Sequence, residues 1–74
     1  MKPTTIWSAE IMTDPERNRQ LHVELLENGE YTARLYQDDN GDVVLKFYKQ
    51  PLTAIPTVWL IDIINHYNRD IANG

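Results

Sequence analysis

Residues 21–35 read Leu21-His22-Val23-Glu24-Leu25-Leu26-Glu27-Asn28-Gly29-Glu30-Tyr31-Thr32-Ala33-Arg34-Leu35, two alternating runs joined by an Asn-Gly pair. Alternation at period 2 marks a strand with one buried face, and Asn-Gly between two such runs is a strong hairpin signal. The apolar positions are 21, 23 and 25 in the first run and 31, 33 and 35 in the second. A two-residue loop pairs Leu25 with Thr32 and Val23 with Arg34, setting core residues opposite polar ones. A three-residue loop over 27–29 pairs Leu25 with Tyr31, Val23 with Ala33 and Leu21 with Leu35. Because a one-residue slip turns every side chain to the other face, the pattern predicts the three-residue loop, with Gly29 at positive φ.

The same signature recurs at Asp39-Asn40-Gly41. A loop of 39–41 pairs Leu35 with Leu45 and Ala33 with Phe47, and predicts positive φ at Gly41. Upstream, Thr5 to Met12 alternates with Trp7, Ala9 and Ile11 as the apolar set; pairing Ile11 with Leu21 brings Ala9 to Val23 and Trp7 to Leu25. Asp14-Pro15-Glu16-Arg17-Asn18 reads as a polar connection. Beyond Lys49 the period changes to 3.6, and Leu60, Ile63, Ile64, Tyr67 and Ile71 form one helical stripe, with Asp62, Asn65 and Arg69 opposite. Pro56 suits the helix start and Asn73-Gly74 a stop.

The expected fold is therefore α+β: a four-stranded antiparallel meander with one C-terminal helix packed on one face (ββββα), as one small domain over 1–74. Strands are expected near 5–12, 20–27, 30–37 and 42–49, and the helix from about Pro56 to Ala72. The expected core is Trp7, Ile11, Leu21, Val23, Leu25, Leu35, Leu45, Phe47, Leu60, Ile63, Ile64 and Tyr67.

Composition narrows the function classes. With 42% hydrophobic and 24% charged residues the chain is globular in character, and at 74 residues it buries only about 60% of its unfolded surface. Association with another copy is one way so small a domain gains stability. The absence of cysteine excludes disulfides and thiolate metal sites and suits a reducing cytoplasm. No apolar run is long enough for a signal peptide or a membrane span. The net charge of −4 disfavours nucleic acid and suits a protein partner.

No motif carries chemistry. Aligning Gly41 with the sixth position of a calcium loop puts Tyr36 first and Phe47 twelfth, where carboxylates are needed. His22 and His66 have no converging ligands, so neither a metal nor another cofactor is expected. Ser8 is the single serine, and no base is marked beside it; catalytic residues are expected to be none.

What remains is the sheet face away from the helix. The expected registers give a row Glu10, His22, Arg34, Lys46, flanked by Ser8, Glu24, Thr32, Tyr48 and by Met12, Gln20, Tyr36, Val44. Arg34, Tyr36, Lys46, Tyr48 and His22 are thus the candidate partner-binding residues, and Arg34→Glu is expected to weaken binding while leaving stability nearly unchanged. The reading is a non-enzymatic cytoplasmic interaction module of adaptor, inhibitor or immunity type, binding a protein or a second copy through this face. The alternative is a single-stranded nucleic-acid binder that stacks bases on Tyr36 and Tyr48.

Overall fold

The structure, a computed structural model, describes residues 4–17 and 20–72. Strands β1 (Trp7–Asp14), β2 (Gln20–Glu27), β3 (Glu30–Gln37) and β4 (Val43–Phe47) form one antiparallel sheet in sequence order, followed by helix α1 (Thr57–Tyr67). This is the expected ββββα fold. Asn18 of the polar connection and the Asn73-Gly74 stop lie outside the described residues.

The first hairpin departs from expectation in how it turns. Asn28 and Gly29 both have positive φ, 52° and 82°, and Glu27 pairs with Glu30, so the loop has two residues of the primed type that Asn-Gly favours. The conflict of faces is resolved one step further on. Leu26 pairs with Tyr31 but Leu25 pairs with Ala33, leaving Thr32 as an extra residue in β3. This bulge restores odd-to-odd pairing and gives Val23 opposite Leu35, two residues away from the expected partner. It also turns Tyr31 to the helix-free face, where its hydroxyl donates to Glu10 Oε2 at 3.0 Å. The β1–β2 register is shifted by two as well, with Ile11 opposite Val23, Ala9 opposite Leu25 and Trp7 opposite Glu27.

The second hairpin is as expected. Leu35 pairs with Leu45 and Ala33 with Phe47, Asp38 N donates to Asp42 O at 2.8 Å, and Gly41 has φ +87°. Asp38 Oδ1 accepts the N–H of Asn40 and of Asp42, holding the loop from its acidic end.

The core is Val23, Leu25, Ala33, Leu35 and Tyr67, with Val43, Leu45, Trp59, Leu60, Ile63, Ile64, Ile71 and Ala72 packed around it. Tyr67 is the helix's anchor: 1% exposed, its hydroxyl donates to Leu21 O at 2.9 Å. Trp7 meets Trp59 at 5.9 Å between ring centroids. The α-helix stops at Tyr67, short of the expected Ala72, and Asn68–Ala72 continues as a wider π turn whose Ile71 and Ala72 pack on the core.

Three expected core residues are exposed, and a fourth, Trp7, is half-buried outside the core cluster. Ile11 is 66% exposed, and Leu21 and Phe47 are also exposed. The reason is width. A helix with side chains is about 10 Å across, whereas the outer axes of four strands about 4.8 Å apart lie more than ~14 Å from one another. One helix covers the middle of such a sheet and leaves its margins bare.

The β4–α1 connection is tied down by Glu27, which lies buried near the end of β2. Its carboxylate accepts the Leu52 N–H at 3.1 Å and both the N–H and hydroxyl of Thr53, at 2.8 and 2.6 Å. The Thr53 hydroxyl and the Leu52 N–H hold this carboxyl below the ordinary value of 4.5. A depressed folded-state pKa contributes stability that is complete above the unfolded value and lost as pH falls through the folded one. Urea titrations at pH 7 and pH 3 should therefore show a smaller acid loss in Glu27→Gln than in the native chain; equal losses would mean the clasp contributes nothing. At the second hairpin, Gly41→Val should cost more than about 1 kcal/mol in the same titration at pH 7, because a β-branched residue is nearly barred from positive φ.

Candidate functional site

Two features of the surface bear on function, one on each side of the sheet. The first is a polar network on the helix-free face, built around Glu24. Glu24 lies on β2 directly between Glu10 of β1 and Arg34 of β3, and Arg34 lies opposite Lys46 of β4. The row is thus Glu10, Glu24, Arg34, Lys46; the two-residue shift replaces the expected His22 with Glu24.

Glu24 is 5% exposed and its carboxylate is well supplied with donors. Tyr48 OH lies 2.8 Å from both of its oxygens, and His22 Nε2 and Arg34 Nε lie 3.1 and 3.2 Å from Oε1. Arg34 Nε–H is shared with the Tyr48 oxygen at 2.8 Å, its guanidinium sits 5.9 Å from the Tyr48 ring centroid, and Nη1 is 3.6 Å from Asp14 Oδ2. Burial and the bond to Glu24 push the Tyr48 hydroxyl up, which keeps it a neutral donor. Burial pulls the Arg34 guanidinium down, but Tyr48 and Glu24 together raise it above its ordinary value. A buried carboxylate so thoroughly bonded acts as a brace between β2, β3 and β4.

The sequence-predicted residues divide accordingly. His22, Arg34 and Tyr48 are brought together through Glu24. Tyr36 is half-buried and lines, with Asp14, Gln20, Leu21, His22 and Arg34, a cavity of about 10 Å³, room for one water. His22 Nδ1 is buried with no partner among the described residues. Lys46 stands exposed at the edge of the row. Among the described residues no three His, Asp or Glu side chains converge to hold a metal ion, and no helix is long and apolar enough to cross a membrane.

The second feature was not foreseen. On the helix side, between β1 and α1, runs an apolar groove of about 350 Å³ lined by Ala9, Ile11, Val23, Ile63, Tyr67 and Ile71. α1 meets β1 at the Trp7–Trp59 contact but leaves Ala9 and Ile11 further along the strand exposed. The groove's polar rim is His66 and Asp70, paired at 2.7 Å between Nδ1 and Oδ2, and His66 and then Arg69 hold the Asp70 carboxyl below its ordinary range. The sequence signal for it was the mismatch of one helix with four strands, together with apolar Ala9 and Ile11 on the outermost one.

The brace changes the expectation for Arg34→Glu. That substitution sets a second carboxylate against buried Glu24 and strands the Tyr48 bond. Removing one partner of a buried pair costs about 3–5 kcal/mol, and Arg34, whose side chain is 32% exposed, should lose somewhat less, roughly 2 kcal/mol or more. Lys46→Glu, at the exposed neighbouring position, should change stability by less than about 0.5 kcal/mol. Thermal melts of the two variants decide this; equal and small shifts would mean the network is not a brace. No protein-family model, curated protein or solved structure matches the chain, so its own side chains are what bears on function.

Proposed function

We propose that this chain is a non-enzymatic protein-interaction module of the cytoplasm, and that it binds through the apolar groove between β1 and α1. The observation that carries the reading is the groove itself, with Ile11 two-thirds exposed on its floor beside an edge strand. An unpaired strand edge is a ready template for pairing with another chain, and here it runs beside exposed apolar side chains. A strand or helix laid into the groove would bury Ala9, Ile11 and Ile63 and could extend the sheet.

The helix-free face supports binding less well than its composition suggests. Arg34, Tyr48 and His22 spend their polar atoms on Glu24, and withdrawing them for a partner would expose a buried carboxylate to the cost of desolvation without compensation. The same argument weakens the nucleic-acid alternative, which needs Arg34 and Lys46 for phosphates and Tyr48 for stacking.

Affinity capture of the tagged chain from its native host, scored for any co-purifying protein including untagged copies of itself, tests the reading. The native chain and Lys46→Glu should retain the same partner, while Ile11→Lys should lose it and remain folded by circular dichroism. Retention by Ile11→Lys with loss in Lys46→Glu would return the site to the helix-free face. Salt-sensitive binding of a labelled single-stranded oligonucleotide by the native chain would favour the alternative.

A further inference from the structure

We propose that the partner in this groove is a second copy of the chain, joined about a two-fold axis by antiparallel pairing of β1 with β1 across Ile11. The inference rests on the groove reading above and follows from the backbone of β1. Asn28 N donates to Ile6 O, and Ile6 N donates to Asn28 Oδ1, each at 2.8 Å, so Ile6 turns its polar groups toward the hairpin of β2 and β3. From there the β1–β2 register runs without a break from Trp7 opposite Glu27 to Asp14 opposite Gln20. Alternation therefore directs the N–H and C=O of Ser8, Glu10 and Met12 to β2, and those of Ala9, Ile11 and Thr13 to the outer edge. Among the described residues no strand pairs with that edge.

An antiparallel neighbour must meet outward groups with outward groups. A second β1 can do so only in registers that set odd residues opposite odd ones. Two such registers, centred on Glu10 and on Ile11, pair seven of the strand's eight residues, and charge separates them. With Glu10 on the axis, two Glu10 carboxylates stand directly opposed. Like charges directly opposite are destabilising. With Ile11 on the axis, Glu10 opposes Met12, Ser8 opposes Asp14 and Ala9 opposes Thr13, and no like charges meet.

That register has a second property. It keeps odd residues of both copies on one face, so the two helices lie on the same side and the two grooves join around the paired Ile11 side chains. The most exposed large apolar residue of the groove becomes its centre, and each copy supplies the apolar cover that α1 is too narrow to give. A two-fold interface presents one patch to itself, and an eight-stranded sheet with two helices on one face results. The polar network, on the opposite face, is untouched.

Sedimentation equilibrium of the full chain from about 1 to 200 µM in physiological salt tests the dimer, a range spanning ordinary weak to moderate self-association. The native chain should approach twice its 8.7 kDa mass. Ile11→Lys and Thr13→Pro, which removes an outward N–H at an edge position that tolerates proline, should each weaken it by at least about tenfold. Met12→Lys should tighten it severalfold by setting an ammonium opposite Glu10 of the second copy. The absence of native cysteine allows the register to be read directly. Glu10→Cys mixed with Met12→Cys should form a disulfide-linked pair under mild oxidation, and neither variant should do so alone. Self-linking of either would overturn the register. A native chain that stays monomeric yet captures a different protein through Ile11 overturns the dimer and leaves the groove reading standing; one that stays monomeric and captures nothing overturns both.

Discussion

Everything in this sheet depends on one extra residue, Thr32. An Asn-Gly pair turns most easily with both residues at positive φ, and that turn joins β2 to β3 in a register that would set Val23 opposite Arg34. Fully buried Thr32, its hydroxyl donating to Glu30 O and its carbonyl accepting from Tyr48 N, absorbs the mismatch as a bulge. From that point Val23, Leu25, Ala33 and Leu35 share the face that α1 covers. Glu24, Arg34 and Tyr48 share the other. Local turn chemistry and the hydrophobic pattern are both satisfied, at the cost of one interrupted ladder step.

The bulge also explains where sequence reasoning held and where it slipped. The demand that odd residues face odd residues was legible in the alternation of residues 21–35. The particular odd partner was not, because a two-residue shift leaves every side chain on its own face and so leaves no trace in an apolar–polar pattern. Both misplaced registers, β1–β2 and β2–β3, are shifted by two. The second hairpin escaped this ambiguity because its three-residue loop, ending in Gly41, matches both the turn and the pattern. The hidden shift mattered most at Glu24. In the expected register it sat beside Thr32, an ordinary solvated neighbour; in the structure it is the hub that Arg34, Tyr48 and His22 all reach.

Ile11, Leu21 and Phe47 were misjudged for a different reason. Each has the parity of a core residue, and parity alone says which face a side chain occupies, not whether anything covers that face. Cover is a matter of dimensions. The helical stripe from Leu60 to Ile71 was plain in the sequence, and a single helix spans about two strands, so bare margins on a four-stranded sheet could have been anticipated. β4 is the shorter edge strand at five residues; β1 has eight, carries Ala9 and Ile11 on the helix side, and borders the groove.

The two faces thus have different characters. One is closed by a carboxylate whose bonding partners are all supplied from within, and the other is left open along β1. The central claim is that the odd-numbered backbone groups of β1 are satisfied by a second β1. Amide hydrogen exchange resolved by residue tests this most directly. The N–H groups of Ser8, Glu10 and Met12, bonded to β2, should be protected at every concentration. Those of Ala9, Ile11 and Thr13 should be protected at high protein concentration and lose protection on dilution. Rapid exchange of the odd-numbered amides at all concentrations, with the even-numbered ones protected throughout, would contradict the account.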